Sequence, residues 1–112
     1  MKSDISIIST SVFKRKVKDL KKKYLHIGED LRRLGEYLLK NPTYGIHLGS
    51  GIYKVRLRCS DQPKGKRGSY RVITFYSHKE GFLYLLNIYH KSQIEDIPIH
   101  KIKEILKKEG LI

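Results

Sequence analysis

Apolar and polar positions along this chain change period several times, and each change marks an element. Ile5, Ile7 and Ile8 form a short apolar run that predicts a first strand. Ser9, Thr10 and Ser11 follow as candidate helix caps. Phe13, Val17, Leu20 and Tyr24 then recur at helical spacing, with Lys14, Arg15, Lys18 and Lys21 to Lys23 between them. That spacing predicts an amphipathic helix over about 11–25. Leu31, Leu34, Leu38 and Leu39 mark a second helix, starting near Gly28-Glu29-Asp30 and stopped by Asn41-Pro42. The two read as a helical hairpin. Tyr44 to Gly51 reads as a glycine-containing connection.

From Ile52 onward the pattern is that of strands, predicted at about 52–59, 69–77 and 82–90. His78 to Gly81 is short enough to join the last two as a hairpin. Phe82 to Tyr89 is apolar almost without a break, which predicts a central strand covered on both faces. Pro98 opens a terminal helix with Ile99, Ile102, Ile105 and Leu106 on its apolar side. Lys107 to Ile112 are expected to fray or dock loosely. With no repeat, low-complexity stretch or linker, residues 1–112 are expected to form a single domain.

Charge changes this picture. Lys and Arg total 24 against 11 Asp and Glu, a net charge of +13. Such an excess points to nucleic acid, an anionic membrane surface or an acidic protein partner. No apolar run is long enough to span a bilayer, no signal peptide is present, and the apolar face of the first helix is needed for the core. A membrane role is therefore poorly supported. The lone Cys59 has no disulfide partner within the chain, so a reduced, cytoplasmic setting is expected. Its place on a strand's apolar face makes it a small core residue rather than a nucleophile.

The cations are not scattered evenly. Alternation through Tyr53-Lys54-Val55-Arg56-Leu57-Arg58 puts Lys54, Arg56 and Arg58 on one face of a strand. The next strand carries Arg71, and the last ends in Tyr89-His90-Lys91. Between the first two runs a loop with Lys64, Lys66 and Arg67. It lacks the helix that follows a P-loop, so it is expected to contact an RNA backbone rather than bind a nucleotide. Cations held at fixed spacing suit phosphate binding, because an anionic ligand relieves their mutual repulsion. Edge-strand Lys and Arg also guard against aggregation, which alone accounts for Lys54 and Arg58 if no ligand exists. Tyr53 and Tyr70 fit either a core or a stacking platform. His26, His47, His78 and His100 show no metal-ligand spacing on one element, and no metal or other cofactor is expected.

Four pieces, in order, resemble the RelE/ParE superfamily of bacterial toxins, most closely the RelE-like HigB toxins. They are Asn41-Pro42 closing the hairpin, Gly49 to Leu57, Gly65 to Ile73, and Tyr84 to Lys91. The resemblance implies an α+β fold, β-α-α-β-β-β-α, with a twisted, mainly antiparallel sheet and a helical hairpin on one face. It implies the toxin of a type II toxin–antitoxin pair, whose antitoxin is expected to be a helix-turn-helix protein from an adjacent gene. RelE-like members enter the ribosomal A site and cut mRNA there without a metal, using the RNA's own 2′-hydroxyl as nucleophile. Some place an Arg directly after the terminal basic residue and a Tyr in the final segment. Here Ser92 follows Lys91 and the terminal helix has no Tyr, so acid and base assignments do not carry over.

In-line attack by a 2′-hydroxyl needs cations on the nonbridging oxygens, a proton acceptor at the 2′-oxygen and a donor at the leaving 5′-oxygen. Arg71 is the first choice for charge stabilisation, because its planar fork binds two phosphate oxygens at once. Lys54, Arg56 and Lys91 complete the expected cluster. Lys54 serves as a base only if neighbouring cations depress its pKa by several units. Tyr89 is expected to stack on a base or donate a proton. Arg58 and His90 are expected RNA contacts, although alternation points His90 away from the face of Tyr89 and Lys91. The expected function is a ribosome-dependent mRNA endonuclease. A ParE-like poison of DNA gyrase shares the fold and needs no nuclease cluster. A non-catalytic basic RNA-binding module needs only diffuse charge, so cations matched across three strands favour the nuclease.

Overall fold

A computed structural model describes residues 4–62, 68–93 and 96–112. The basic loop residues Lys64, Lys66 and Arg67 lie outside the described residues. In chain order the elements are β1 (Ser6–Ser9), α1 (Ser11–Lys21), α2 (Ile27–Lys40), β2 (Ile46–Gly49), β3 (Ile52–Arg58), β4 (Ser69–Ser77), β5 (Phe82–His90) and α3 (Ile99–Lys108). The strands form one five-stranded sheet in the order β1-β5-β4-β3-β2. Among the described residues only the β1–β5 pair is parallel. This is the expected α+β architecture with one more strand.

That strand is β2. Gly49 pairs with Ile52 across Ser50 and Gly51, both at positive φ (54° and 79°). Two consecutive positive φ values make the tight turn whose twist matches a hairpin. The sequence hides β2 because it is short and largely exposed, so it carries no burial-driven alternation. Gly45, just before it, has φ 112°, and a Cβ there would come within 2.5 Å of the Lys54 carbonyl oxygen. Glycine thus lets the 43–46 segment lie directly against β3.

α1 is shorter than its apolar spacing suggests. It starts where the Thr10 hydroxyl accepts from the Phe13 amide (3.2 Å), and its last helical residue is Lys21. Tyr24 keeps a bond to the Leu20 carbonyl (2.8 Å), but the chain turns there so that α2 can run back. α1 and α2 cover one sheet face around Phe13, Leu20, Tyr24, Ile27, Leu34, Leu38, Val55, Leu57 and Val72. Cys59 lies in that core, its thiol donating to the Tyr70 hydroxyl (3.2 Å). Asp30 is also fully buried, with its carboxylate satisfied by Arg33 (2.6 Å) and by the Ser60 amide (3.0 Å). Buried charge is tolerated when paired and hydrogen-bonded in this way, and the Ser60 bond to Asp30 ties α2 to the chain just after β3.

α3 covers part of the opposite face. Ile102 and Leu106 pack with Ile52, Ile73, Tyr84, Leu86 and Tyr89. β5 is therefore buried along nearly its whole length between α1 and α3. The chain end does not fray as expected. Gly110 turns at φ 75°, the Leu111 amide bonds the Leu106 carbonyl (2.8 Å), and Leu111 packs on this second core. That is a glycine-terminated helix cap, which satisfies carbonyls that a frayed end would leave to water.

Candidate active site

Strand register decides what the cations can do together. Arg56 is opposite Arg71, and Arg71 is opposite Tyr89, so these three form one row across β3, β4 and β5. The row on one side holds Lys54, Ile73 and Asn87. On the other side Arg58 is opposite Ser69, whose carbonyl accepts from the Lys91 amide (3.0 Å). Directly opposed residues share a sheet face with Cβ atoms ~5 Å apart, and rows two residues apart are separated by ~7 Å. The order along the face is Lys54, then the Arg56–Arg71 pair, then Lys91, over ~14 Å.

Lys54, Arg56, Arg71 and Lys91 line a cleft of about 620 Å³, whose remaining wall is Thr43, Tyr44, Gly45 and Ile46. That wall was not foreseen in the sequence, because it depends on β2. Tyr44 is 44% exposed and meets Tyr37 edge-on at 4.8 Å, which leaves an aromatic surface at the cleft's rim. The Arg71 guanidinium donates to the Ser69 hydroxyl (2.7 Å) and the Tyr70 carbonyl (3.4 Å), which fixes its direction. Among the described residues, no carboxylate lies within ion-pair distance of Arg56, Arg71 or Lys91. Among the described residues these three cations therefore share the cleft without an ion-pair partner, an arrangement that costs folding energy unless an anion binds.

Lys54 differs. Its ammonium lies 3.3 Å from one Asp96 carboxylate oxygen and 3.4 Å from the other. Crowding by cations, the condition for Lys54 to act as a base, is therefore not its environment. A carboxylate-paired ammonium is a donor. Asp96 also accepts from the Tyr89 hydroxyl (3.1 Å) and the Ile97 amide (3.0 Å). Burial acts to raise the Asp96 pKa, but Lys54, the Ile97 amide and Tyr89 outweigh it and hold the carboxyl below its ordinary range. Burial and the adjacent Asp96 push the Tyr89 hydroxyl up to about 12. Tyr89 is only 4% exposed. It is thus a neutral donor wedged beside the cleft rather than a free stacking ring. Asp96 escaped the sequence reading; it lies before α3 and does not cap that helix, whose cap position is Pro98.

His90 requires correction. It is 1% exposed and stacks on Tyr24 at 4.6 Å with the planes 9° apart, on the helical-hairpin side. Burial, then Lys23 and Arg71, lower its pKa. A ring enclosed in the core cannot make the RNA contact expected of it. Tyr70 is likewise wholly buried, whereas Tyr53 is half-buried against His47 at 4.8 Å. Arg58 is exposed on the cleft's face of β3. Among the described residues no group of three His, Cys, Asp or Glu is placed to hold a metal ion.

The fold is one already known. The chain aligns with the structure of the E. coli toxin RelE, an arginine-to-alanine double mutant in the free state, with a TM-score of 0.58 and 14% identity over 96% of each chain. At that identity the likeness is one of architecture. No protein-family model matches the sequence.

Proposed function

We propose that this chain is the toxin of a type II toxin–antitoxin pair, an endoribonuclease that cuts mRNA in the ribosomal A site, within the HigB-like branch of the RelE toxins. The observation that carries the reading is the trio Arg56, Arg71 and Lys91 around one cleft, without an ion-pair partner among the described residues, and with Lys54 at the cleft's far end. A diffuse RNA binder has no need to oppose two arginines directly across a strand pair. A site for a pentacoordinate phosphorane does, because negative charge builds on the nonbridging oxygens. The RelE-like fold supports the same reading.

In this reading the scissile phosphate sits on Arg56 and Arg71, with Arg71 gripping two oxygens through its fork. The 2′-hydroxyl attacks from the Lys54 end. The 5′-oxygen departs toward Lys91, whose ammonium supplies its proton. The nucleophile and leaving group thus lie on opposite sides of phosphorus, as in-line displacement requires. Fixed cations carry the reaction without a metal. Arg58, with Lys64, Lys66 and Arg67 of the basic loop, grips the RNA backbone. A helix-turn-helix antitoxin from the adjacent gene masks the face in the cytoplasm through an acidic or amphipathic segment.

Expression of the chain alone, followed by primer extension on cellular mRNA, tests this. Cuts inside coding regions bearing 2′,3′-cyclic phosphate and 5′-hydroxyl ends are expected. Intact mRNA with accumulating DNA breaks overturns the reading in favour of a gyrase poison. Ends bearing 3′-hydroxyl and 5′-phosphate point instead to metal-activated water.

A further inference from the structure

We infer that the Asp96 carboxylate is the proton acceptor for the attacking 2′-hydroxyl, with Lys54 and Tyr89 holding it in place. The inference rests on the reading of the cleft as an RNA-cleaving site, and supplies the group that reading lacks. Lys54, Arg56, Arg71 and Lys91 are all donors, and so is the Tyr89 hydroxyl, while His90 is sealed in the opposite core. Among the described residues the cleft lining includes no carboxylate, and Asp96 reaches that lining through Lys54.

Its two oxygens are not equivalent. Oδ1 accepts from the Tyr89 hydroxyl, the Ile97 amide and Lys54. Among the described residues Oδ2 contacts Lys54 alone, at 3.4 Å, and the side chain is 62% exposed. One oxygen is held by three donors and the other by Lys54, on an exposed side chain at the Lys54 end of the cleft. The anchoring donors also keep the carboxyl ionised at neutral pH, so it is ready to accept a proton.

The 2′-O–H bond breaks and its proton passes to Asp96 Oδ2. The 2′-oxygen forms a bond to phosphorus while the P–O5′ bond breaks. The departing 5′-oxygen takes a proton from Lys91. The products are a 2′,3′-cyclic phosphate and a 5′-hydroxyl, and the protonated carboxyl and neutral amine recover their states through solvent. Attack at one end of the row and departure at the other match the order Asp96 and Lys54, then the arginines, then Lys91, that the register fixes.

Asp96→Asn keeps an oxygen able to accept from Tyr89 but removes the base. Single-turnover cleavage on programmed ribosomes is expected to slow on the order of 10²–10⁴-fold at saturation. Binding of a 2′-deoxy, uncleavable message should hold or tighten, since a negative charge beside the phosphate is gone. The decisive readout is pH. The wild-type rate should not rise with pH across the neutral range through ionisation of Asp96. The variant, dependent on hydroxide, should gain about tenfold per pH unit. Asp96→Glu should recover part of the rate. A variant that cuts at the wild-type rate, or one that is slow but keeps the wild-type pH profile, overturns the assignment. The first outcome makes Asp96 a dispensable occupant of the empty cleft, and the second makes it a positioning residue only. Wild-type protein run in parallel separates the two levels. If it leaves mRNA uncut, the nuclease reading itself fails and the base assignment falls with it.

Discussion

The sheet face beneath α3 has two ends built from the same three strands, and they have opposite character. At one end Ile52, Ile73, Tyr84 and Leu86 meet Ile102 and Leu106 of α3. At the other end Arg56, Arg71 and Lys91 face an open cleft. The boundary is the row Lys54–Ile73–Asn87, and Asp96-Ile97 enters there, with Asp96 on Lys54 and Ile97 against the apolar cluster. Each fully buried aliphatic side chain at the covered end contributes about 1.5–3 kcal/mol to folding. The open end contributes little and costs some repulsion. The pleat allows this division because each strand position can be apolar or charged independently of its neighbour two residues on. The fold is therefore stabilised at one end of a face whose other end is left open.

The largest expected effects test that division directly. Ile102 is wholly buried. Ile102→Ala should lower unfolding free energy by about 2–5 kcal/mol through lost burial and a cavity, read from urea denaturation. Cleavage, assayed where the variant remains folded, should change little. A comparable loss of cleavage in folded protein would mean that the two ends are coupled through α3.

Arg71→Ala should do the reverse. Cleavage is expected to fall on the order of 10²–10³-fold, as for loss of one oxyanion-type donor. Ribosome association should fall much less, because the remaining Lys and Arg still supply long-range attraction. Arg71→Lys keeps the charge but not the planar fork held by Ser69, and should remain substantially impaired. An Arg71→Ala variant that is folded and cuts at the wild-type rate places the active site elsewhere.

A smaller effect has an unusual sign. Arg56 and Arg71 are directly opposed, and like charges so placed destabilise a strand pair. Arg56→Ala should therefore raise stability by about 0.2–1 kcal/mol while slowing cleavage. The gain should shrink in high salt, which screens the repulsion. A thermal melt series at low and high ionic strength reads it, and destabilisation at low salt would show that the arginines do not repel in the folded state.

How much of this was legible in the chain follows from what burial imposes. Phe82 to Tyr89 announced a doubly covered strand because both faces had to be apolar, and β5 is that strand. Lys54, Arg56 and Arg58 were assigned to one face by alternation, which Val55 and Leu57 confirm from the buried side. β2 was missed because its side chains are mostly exposed and impose no pattern. Asp96 was missed for a different reason. Its contact with Lys54 joins residues 42 apart in the chain, a long-range fact that local spacing does not encode. The likeness to a known toxin is one of architecture and does not point to the carboxylate beside Lys54.

The smallest expected effect lies on the opposite face, and separates two kinds of pH dependence. The Asp61 carboxylate bonds the His26 amide (2.8 Å) and the His26 ring (2.7 Å), joining the start of α2 to the end of β3. Hydrogen bonding to Asp61, then its charge, raise the His26 pKa above 6.5. The same contacts lower the Asp61 pKa below 3.8. A raised histidine stabilises the fold fully below 6.5, and that contribution is lost as pH rises through the folded value. A depressed carboxylate stabilises above 3.8, and its contribution is lost as pH falls through its own folded value. The tether is thus strongest between those two limits and weakens toward alkaline pH. The His26 side chain is 57% exposed, so solvent screens the pair and the effect on stability is small. Wild-type protein should lose slightly more thermal stability than Asp61→Asn between about pH 5.5 and pH 8.5. Cleavage by Asp61→Asn should keep the wild-type pH profile, because the pair belongs to the hairpin side of the sheet and not to the cleft. Identical stability profiles for the two proteins would show that the pair adds nothing to folding.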